Sequence, residues 1–76
     1  MTKQEFDKLK NLIAIGEEIN FDYNSQEYWI SQTPGEYHLT RVSDSYSQTF
    51  KTVDNLFNNA TLNGEYLKDV YSEITW

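Results

Sequence analysis

Residues 19–42 read Ile19-Asn20-Phe21-Asp22-Tyr23-Asn24-Ser25-Gln26-Glu27-Tyr28-Trp29-Ile30-Ser31-Gln32-Thr33-Pro34-Gly35-Glu36-Tyr37-His38-Leu39-Thr40-Arg41-Val42, and their rhythm decides the fold. Ile19, Phe21 and Tyr23 alternate with Glu18, Asn20 and Asp22. Successive strand side chains point to opposite faces, so this is a strand with one buried and one polar face. Asn24-Ser25-Gln26 is turn-like, and Tyr28 and Ile30 then resume the apolar face while Glu27, Trp29 and Ser31 take the other. Thr33-Pro34-Gly35 is a second turn, because proline presets φ and glycine accepts positive φ. A third strand is expected at 36–42. Tyr37 and Leu39 share one of its faces, and His38, Thr40 and Val42 share the other. The inward phase is assigned to Tyr37 and Leu39, which leaves Arg41 near the sheet edge.

Working outward toward the N-terminus, Thr2-Lys3-Gln4-Glu5 has the form of a capping box. Phe6, Leu9, Leu12 and Ile13 then recur on one helical face, and Gly16 can take the left-handed conformation that ends a helix. A helix is expected over about 3–15. Toward the C-terminus, Ser43-Asp44-Ser45 is a turn and Tyr46, Gln48 and Phe50 form a short fourth strand. Thr52 caps a short helix that turns Val53, Leu56 and Phe57 inward, and Asn58-Asn59 ends it. Asn63-Gly64 is read as a turn between helices. A type I′ hairpin is the alternative there, but the flanks are short for strands. Leu67, Val70, Tyr71 and Ile74 follow at helical spacing, which predicts a terminal helix running to about Trp76. The expected fold is α+β in a single domain, residues 1–76. An N-terminal helix precedes an antiparallel meander of three or four strands, and the helices pack on one sheet face.

The chain has 76 residues and no cysteine. Its core must come from packing alone, and six Tyr, four Phe and two Trp supply the apolar area. The net charge is −6. Within residues 17–50, Arg41 stands alone against Glu17, Glu18, Asp22, Glu27, Glu36 and Asp44, so the expected sheet is the acidic part. Nucleic-acid binding needs a basic footprint, and none is present. Binding to anionic lipid is disfavoured for the same reason. No apolar run reaches membrane-spanning length, and the N-terminus has acids where a secretion signal has an apolar stretch. A soluble cytoplasmic protein is expected.

His38 is the only histidine, and Glu36 lies two residues away on its strand face. A catalytic base needs a reacting proton within reach and an orienting acid. The competing reading of His38 is a cross-strand surface contact. Glu65, Asp69 and Glu73 fall at i, i+4 and i+8 on the expected terminal helix, a row of charge ~6 Å apart by helical rise. Such a row can imitate a phosphate backbone or be a solvated face. Trp29 points away from the expected helices into a setting that contains Glu18, Asp22, Glu36 and His38. It is either an interface anchor, a role in which Trp is enriched, or a cover lying flat over the sheet. No nucleophile elbow, Ser-x-x-Lys arrangement, glycine-rich phosphate loop or calcium loop is present. No catalytic, cofactor-binding or metal-ligating residue is therefore assigned, and no cofactor is expected.

The segment Phe50-Lys51-Thr52-Val53-Asp54-Asn55-Leu56-Phe57-Asn58-Asn59-Ala60-Thr61-Leu62-Asn63-Gly64-Glu65-Tyr66-Leu67 resembles a pattern in small uncharacterised proteins of Firmicutes and their phages. In that pattern a Phe and a capping Ser/Thr open a short helix. A small residue, an apolar residue, a Gly and a Leu then lead into the last helix. Glu27-Tyr28-Trp29-Ile30 and Gly35-Glu36-Tyr37-His38-Leu39 resemble the central hairpin of the same proteins. The resemblance spans roughly residues 19–74, implies a mixed α+β fold and implies no activity.

The function expected is that of a small acidic, non-enzymatic protein that binds another, basic protein. Three alternatives stand beside it. One is a phage or mobile-element inhibitor that mimics nucleic acid. Another is a structural homo-oligomer joined through an open sheet edge or face. The last is a small-ligand binder or enzyme with a pocket between the first helix and the sheet, where ligand pockets typically need ~300 Å³ or more.

Overall fold

The computed structural model describes residues 1–76. The alternating stretch forms β1 Ile19–Tyr23, β2 Gln26–Thr33 and β3 Glu36–Arg41, and β4 Tyr46–Phe50 follows. All pair antiparallel in the order β1-β2-β3-β4. Helix α1 Lys3–Ala14 precedes the sheet. After it come α2 Val53–Asn59, the small pair β5 Thr61–Leu62 and β6 Glu65–Tyr66, the single turn α3 Leu67–Val70, and a 3-10 turn at Tyr71–Glu73. The α+β class and the meander are as the sequence predicts.

The turns set the register. Asn24 and Ser25 both have positive φ, 52° and 63°. That is the signature of a two-residue type I′ hairpin, whose twist suits the flanking strands. Gln26 therefore belongs to β2 and pairs with Tyr23, instead of lying in a three-residue turn. Pro34-Gly35 closes the next hairpin, with Gly35 at φ 79° and Thr33 paired to Glu36.

Helix α1 opens on the expected capping box. The Glu5 amide donates to Thr2 Oγ1 at 3.1 Å, and the Thr2 amide donates to the Glu5 carboxylate at 2.8 Å. That second bond, helped by the Trp76 indole N–H, holds the Glu5 carboxyl below its ordinary range. The far end of α1 is closed by the Gln32 side chain, whose amide donates to the carbonyl of Ile13 at 2.6 Å and to that of Glu17 at 3.3 Å. The Ile13 carbonyl also accepts from the Gly16 amide at 3.1 Å, so the strand side chain adds a second bond that ties the end of the helix and the loop after it to β2.

Fourteen buried apolar residues form one cluster. Phe21, Tyr28, Ile30 and Leu39 come from one sheet face, Phe6, Leu9 and Ile13 from α1, and Leu56, Phe57, Ala60, Leu62, Leu67, Val70 and Ile74 from the C-terminal third. Phe6 joins three elements. Its ring stacks on Tyr71 at 4.4 Å and meets the Phe57 edge at 5.5 Å. Such aromatic pairs add about 0.5–1.5 kcal/mol beyond area burial.

Two expectations for the C-terminal third are corrected. The terminal helix does not run to Trp76. It lasts one turn, tightens to 3-10 geometry and becomes extended at Ile74, where φ is −81° and ψ 140°. Val70, Tyr71, Ile74 and Thr75 are β-branched or aromatic, which lowers helix propensity. Their carbonyl and amide groups also find better partners elsewhere. Thr75 exchanges two backbone hydrogen bonds with Asp22 on the open edge of β1, at 2.7 and 2.9 Å. The Met1 ammonium donates to the Ile74 carbonyl at 2.9 Å. The apolar stripe is still buried, but by a chain that changes conformation twice.

Asn63-Gly64, read as an interhelical turn, is instead a type I′ hairpin with φ values of 55° and 88°. Its short strands are supported from outside. The Gln48 amide donates to the Thr61 carbonyl at 2.8 Å and accepts from the Thr61 amide at 2.9 Å. The Leu67 amide donates to the Ala60 carbonyl at 2.9 Å. A side chain on β4 does the work of a neighbouring strand.

Candidate functional site

No helix covers the second sheet face. Alternation places Asn20 and Asp22 of β1, Glu27, Trp29, Ser31 and Thr33 of β2, Glu36, His38 and Thr40 of β3, and Ser47 and Thr49 of β4 on it. Trp29 sits on the second of four strands, with Asn20 opposite on one side and Thr40 on the other. Its side chain faces away from the core, as alternation from Tyr28 and Ile30 requires. It is 37 % exposed, so its neighbours cover most of the indole. Trp29 therefore shields the sheet in part and remains accessible in part.

One half of this face is a closed polar network. His38 bridges three strands: its Nε2 lies 2.9 Å from Thr33 Oγ1 and its Nδ1 3.0 Å from Thr49 Oγ1. Thr40 and Ser47 hydroxyls meet at 3.0 Å. Glu36 is engaged by Lys51 at 3.1 Å and does not pair with His38. Both nitrogens of His38 are engaged by neighbouring hydroxyls, so His38 makes cross-strand contacts on both sides. Glu36 lies four residues along β3 from Thr40, or about 13 Å from the Trp29 row at strand rise.

The other half is acidic and open. Asp22 stands directly opposite Glu27. Tyr23–Gln26 is the hydrogen-bonded pair that closes the two-residue turn, so Asp22–Glu27 is a non-hydrogen-bonded pair, where Cα atoms approach to about 4.5 Å and side chains lie closest. Two exposed carboxylates therefore share the tightest kind of cross-strand site. Like charges so placed are destabilising. The Asn20 amide donates to Glu27 at 2.7 Å, which satisfies one oxygen without supplying a positive charge. Asn20, Asp22, Glu27, Thr75 and Trp76 line a shallow groove of about 290 Å³ toward the β1 edge, and Trp29 is not among its lining residues. Glu18 is exposed just ahead of β1.

Glu27 and Trp76 were not among the site residues expected from sequence. Alternation does put Glu27 on the Trp29 face, but its place opposite Asp22 depends on the two-residue turn. The arrival of Trp76 depends on the extended C-terminus.

The Glu65, Asp69 and Glu73 row is not formed. Glu65 lies in β6, Asp69 in α3 and Glu73 in the 3-10 turn, so no single helix face aligns them. Tyr23 has its phenol pushed up, first by burial and then by the charges of Glu73 and Glu65.

The other cleft, about 280 Å³, lies on the core side at Tyr28, Arg41, Tyr46, Gln48, Thr61 and the Asn63-Gly64 tip. Arg41 there is held by Asp44 through two hydrogen bonds, at 3.0 and 2.6 Å, and lies 5.5 Å from the Tyr46 ring. The Gln48 amide is committed to Thr61. Arg41 and Gln48 of this cleft are thus already engaged within the chain. Neither cleft is lined by α1, so the pocket expected between the first helix and the sheet is not present. No three His, Cys, Asp or Glu side chains gather where they could hold a metal ion. No helix is long and apolar enough to cross a membrane.

No family model, curated protein or solved structure matches this chain.

Proposed function

We propose that this chain is a non-enzymatic protein-binding module, and that it engages a basic partner through the open sheet face around Trp29, Asp22 and Glu27. The observation that carries the reading is the opposition of Asp22 and Glu27 beside a part-exposed indole. A sheet selected for stability alone would place a cation opposite one of those acids. A lysine or arginine from a partner would relieve the repulsion, while the exposed part of Trp29 would take an apolar contact. Glu18 would add to the long-range attraction, and the net charge of −6 would speed encounter with a basic surface at low salt.

The test compares the wild-type chain with Trp29→Ala and Glu27→Gln as baits against the same cell extract. A partner that is retained by wild type, lost by both variants and released by moderate salt supports the reading. A partner held equally by all three baits contradicts it. The nucleic-acid-mimic reading relied on the Glu65, Asp69 and Glu73 row, and with those residues on three different elements no observation favours it.

A further inference from the structure

We infer that the free edge of β4 is a self-association surface, on which a second copy of this chain docks antiparallel and doubles the sheet. The inference is independent of the partner surface proposed above. It begins with which backbone groups point outward. The two-residue turns make Tyr23–Gln26 and Thr33–Glu36 hydrogen-bonded pairs, and bonding then alternates along each strand. Two observed contacts fix this phase independently. The Val42 amide donates to the Glu27 carbonyl at 3.0 Å, and Asp22 turns its amide and carbonyl outward to Thr75. Tyr37, Leu39 and Arg41 therefore bond across to Phe50, Gln48 and Tyr46, and the amides and carbonyls of Ser47 and Thr49 point away from the sheet. No backbone hydrogen bond outside the sheet reaches β4.

The two edges of the sheet are treated differently. The β1 edge carries Asp22 and is partly closed by Thr75. The β4 edge, Tyr46-Ser47-Gln48-Thr49-Phe50, has no charge, no proline and no covering strand. Those are the devices that normally keep an edge from pairing. In a chain of net charge −6, β4 is also the only strand of the sheet without an ionisable acid or base apart from the Tyr46 phenol, so it is where two copies can meet without like charges in register.

The outward groups choose the register. An antiparallel pairing centred on Gln48 sets Ser47 of each copy against Thr49 of the other, where both have free amides and carbonyls to exchange. On the core side, Tyr46 then faces Phe50 of the second copy. That contact would cover Tyr46, which is 57 % exposed in the single chain. On the open side, hydroxyl meets hydroxyl. At the ends, Lys51 of one copy comes alongside the Asp44 turn of the other. The interface is one short strand, so the dimer is weak and depends on concentration.

Sedimentation across micromolar to millimolar concentration, combined with amide hydrogen exchange, tests this. The weight-average mass should rise from 9.0 kDa toward twice that value. Over the same range the Ser47 and Thr49 amides should become protected, while amides on the β1 edge do not. Thr49→Pro, which removes an outward N–H at an edge position that tolerates proline, should keep the mass at one chain. Trp29→Ala should leave the association unchanged. A single-chain mass at every concentration overturns the inference. So does a dimer whose Ser47 and Thr49 amides stay unprotected, or one abolished by Trp29→Ala and kept by Thr49→Pro. The exchange readout uses the wild-type chain, so it decides the question even if a variant misfolds.

Discussion

Asp22 faces Glu27 across the β1–β2 pair, with no cation set against either acid. Their four ion-paired counterparts elsewhere on the surface, Asp7, Asp54, Asp44 and Glu36, each have a lysine or arginine within 3.1 Å. Other acids, among them Glu18, Glu65 and Glu73, also lack an ion pair, but Asp22 and Glu27 are set directly opposite each other across a strand pair.

The first prediction follows directly. Glu27→Lys should create a cross-strand ion pair with Asp22 and stabilise the fold by about 0.2–1 kcal/mol. The gain should shrink with added salt, because the pair is exposed. Chemical denaturation at low and high salt checks it. A destabilised Glu27→Lys at low salt would show that the two carboxylates do not repel.

Leu67 is fully buried where α3 meets the core. Leu67→Ala should cost about 2–5 kcal/mol. That matches the ~3–5 kcal/mol a core of this size supplies, so the variant should be largely unfolded at body temperature. A melting curve equal to wild type would contradict the core described.

Gln48→Ala should release the β5–β6 hairpin. Thr61 loses partners for both its amide and its carbonyl, at a cost of about 1–3 kcal/mol. Faster amide exchange at Thr61 and Tyr66 than in β1 and β2 would be the local signature. Uniform exchange rates across the chain would show that Gln48 is not the latch.

The Arg41 guanidinium and the Tyr46 amide hold the Asp44 carboxyl down, from 3.8 to about 2. A depressed carboxyl stabilises the folded state above its unfolded pKa and loses that effect as pH falls through its folded one. The stability difference between wild type and Asp44→Asn should therefore be present at neutral pH and disappear between pH 3.8 and about 2. Acid titrations of both proteins check it. A difference unchanged down to pH 2 would rule out the ion pair as its source.

Much of this was legible in the sequence where local chemistry and tertiary packing agree. Thr2 and Glu5 announce the start of α1, Thr52 announces α2, and the alternation from Ile19 to Leu39 assigns both sheet faces, including the outward direction of Trp29. The two misreadings in the C-terminal third share one cause, which is that long-range partners changed local conformation. Leu67, Val70, Tyr71 and Ile74 have helical spacing, but Asp22 across the molecule draws Thr75 into an extended bridge. Asn63-Gly64 carries the strongest hairpin signal in the chain. Its flanks are too short to be strands unaided, and the aid comes from Gln48, thirteen residues before Thr61. The Asp22–Glu27 pair was hidden by a turn counted one residue too long, because a slip of one residue changes every cross-strand neighbour. Gln32 and Gln48, both polar and both turned toward the core side, gave no sign that they would close backbone ends elsewhere.

The most direct test of the account is the affinity of a partner recovered on the wild-type chain, measured by titration calorimetry against wild type and Trp29→Ala at low and at physiological salt. The account predicts a native far-ultraviolet spectrum for the variant, a weakening of more than ~2 kcal/mol, which is the hot-spot scale, and tighter wild-type binding at low salt. Equal affinity for the two folded proteins, with no dependence on salt, would contradict it.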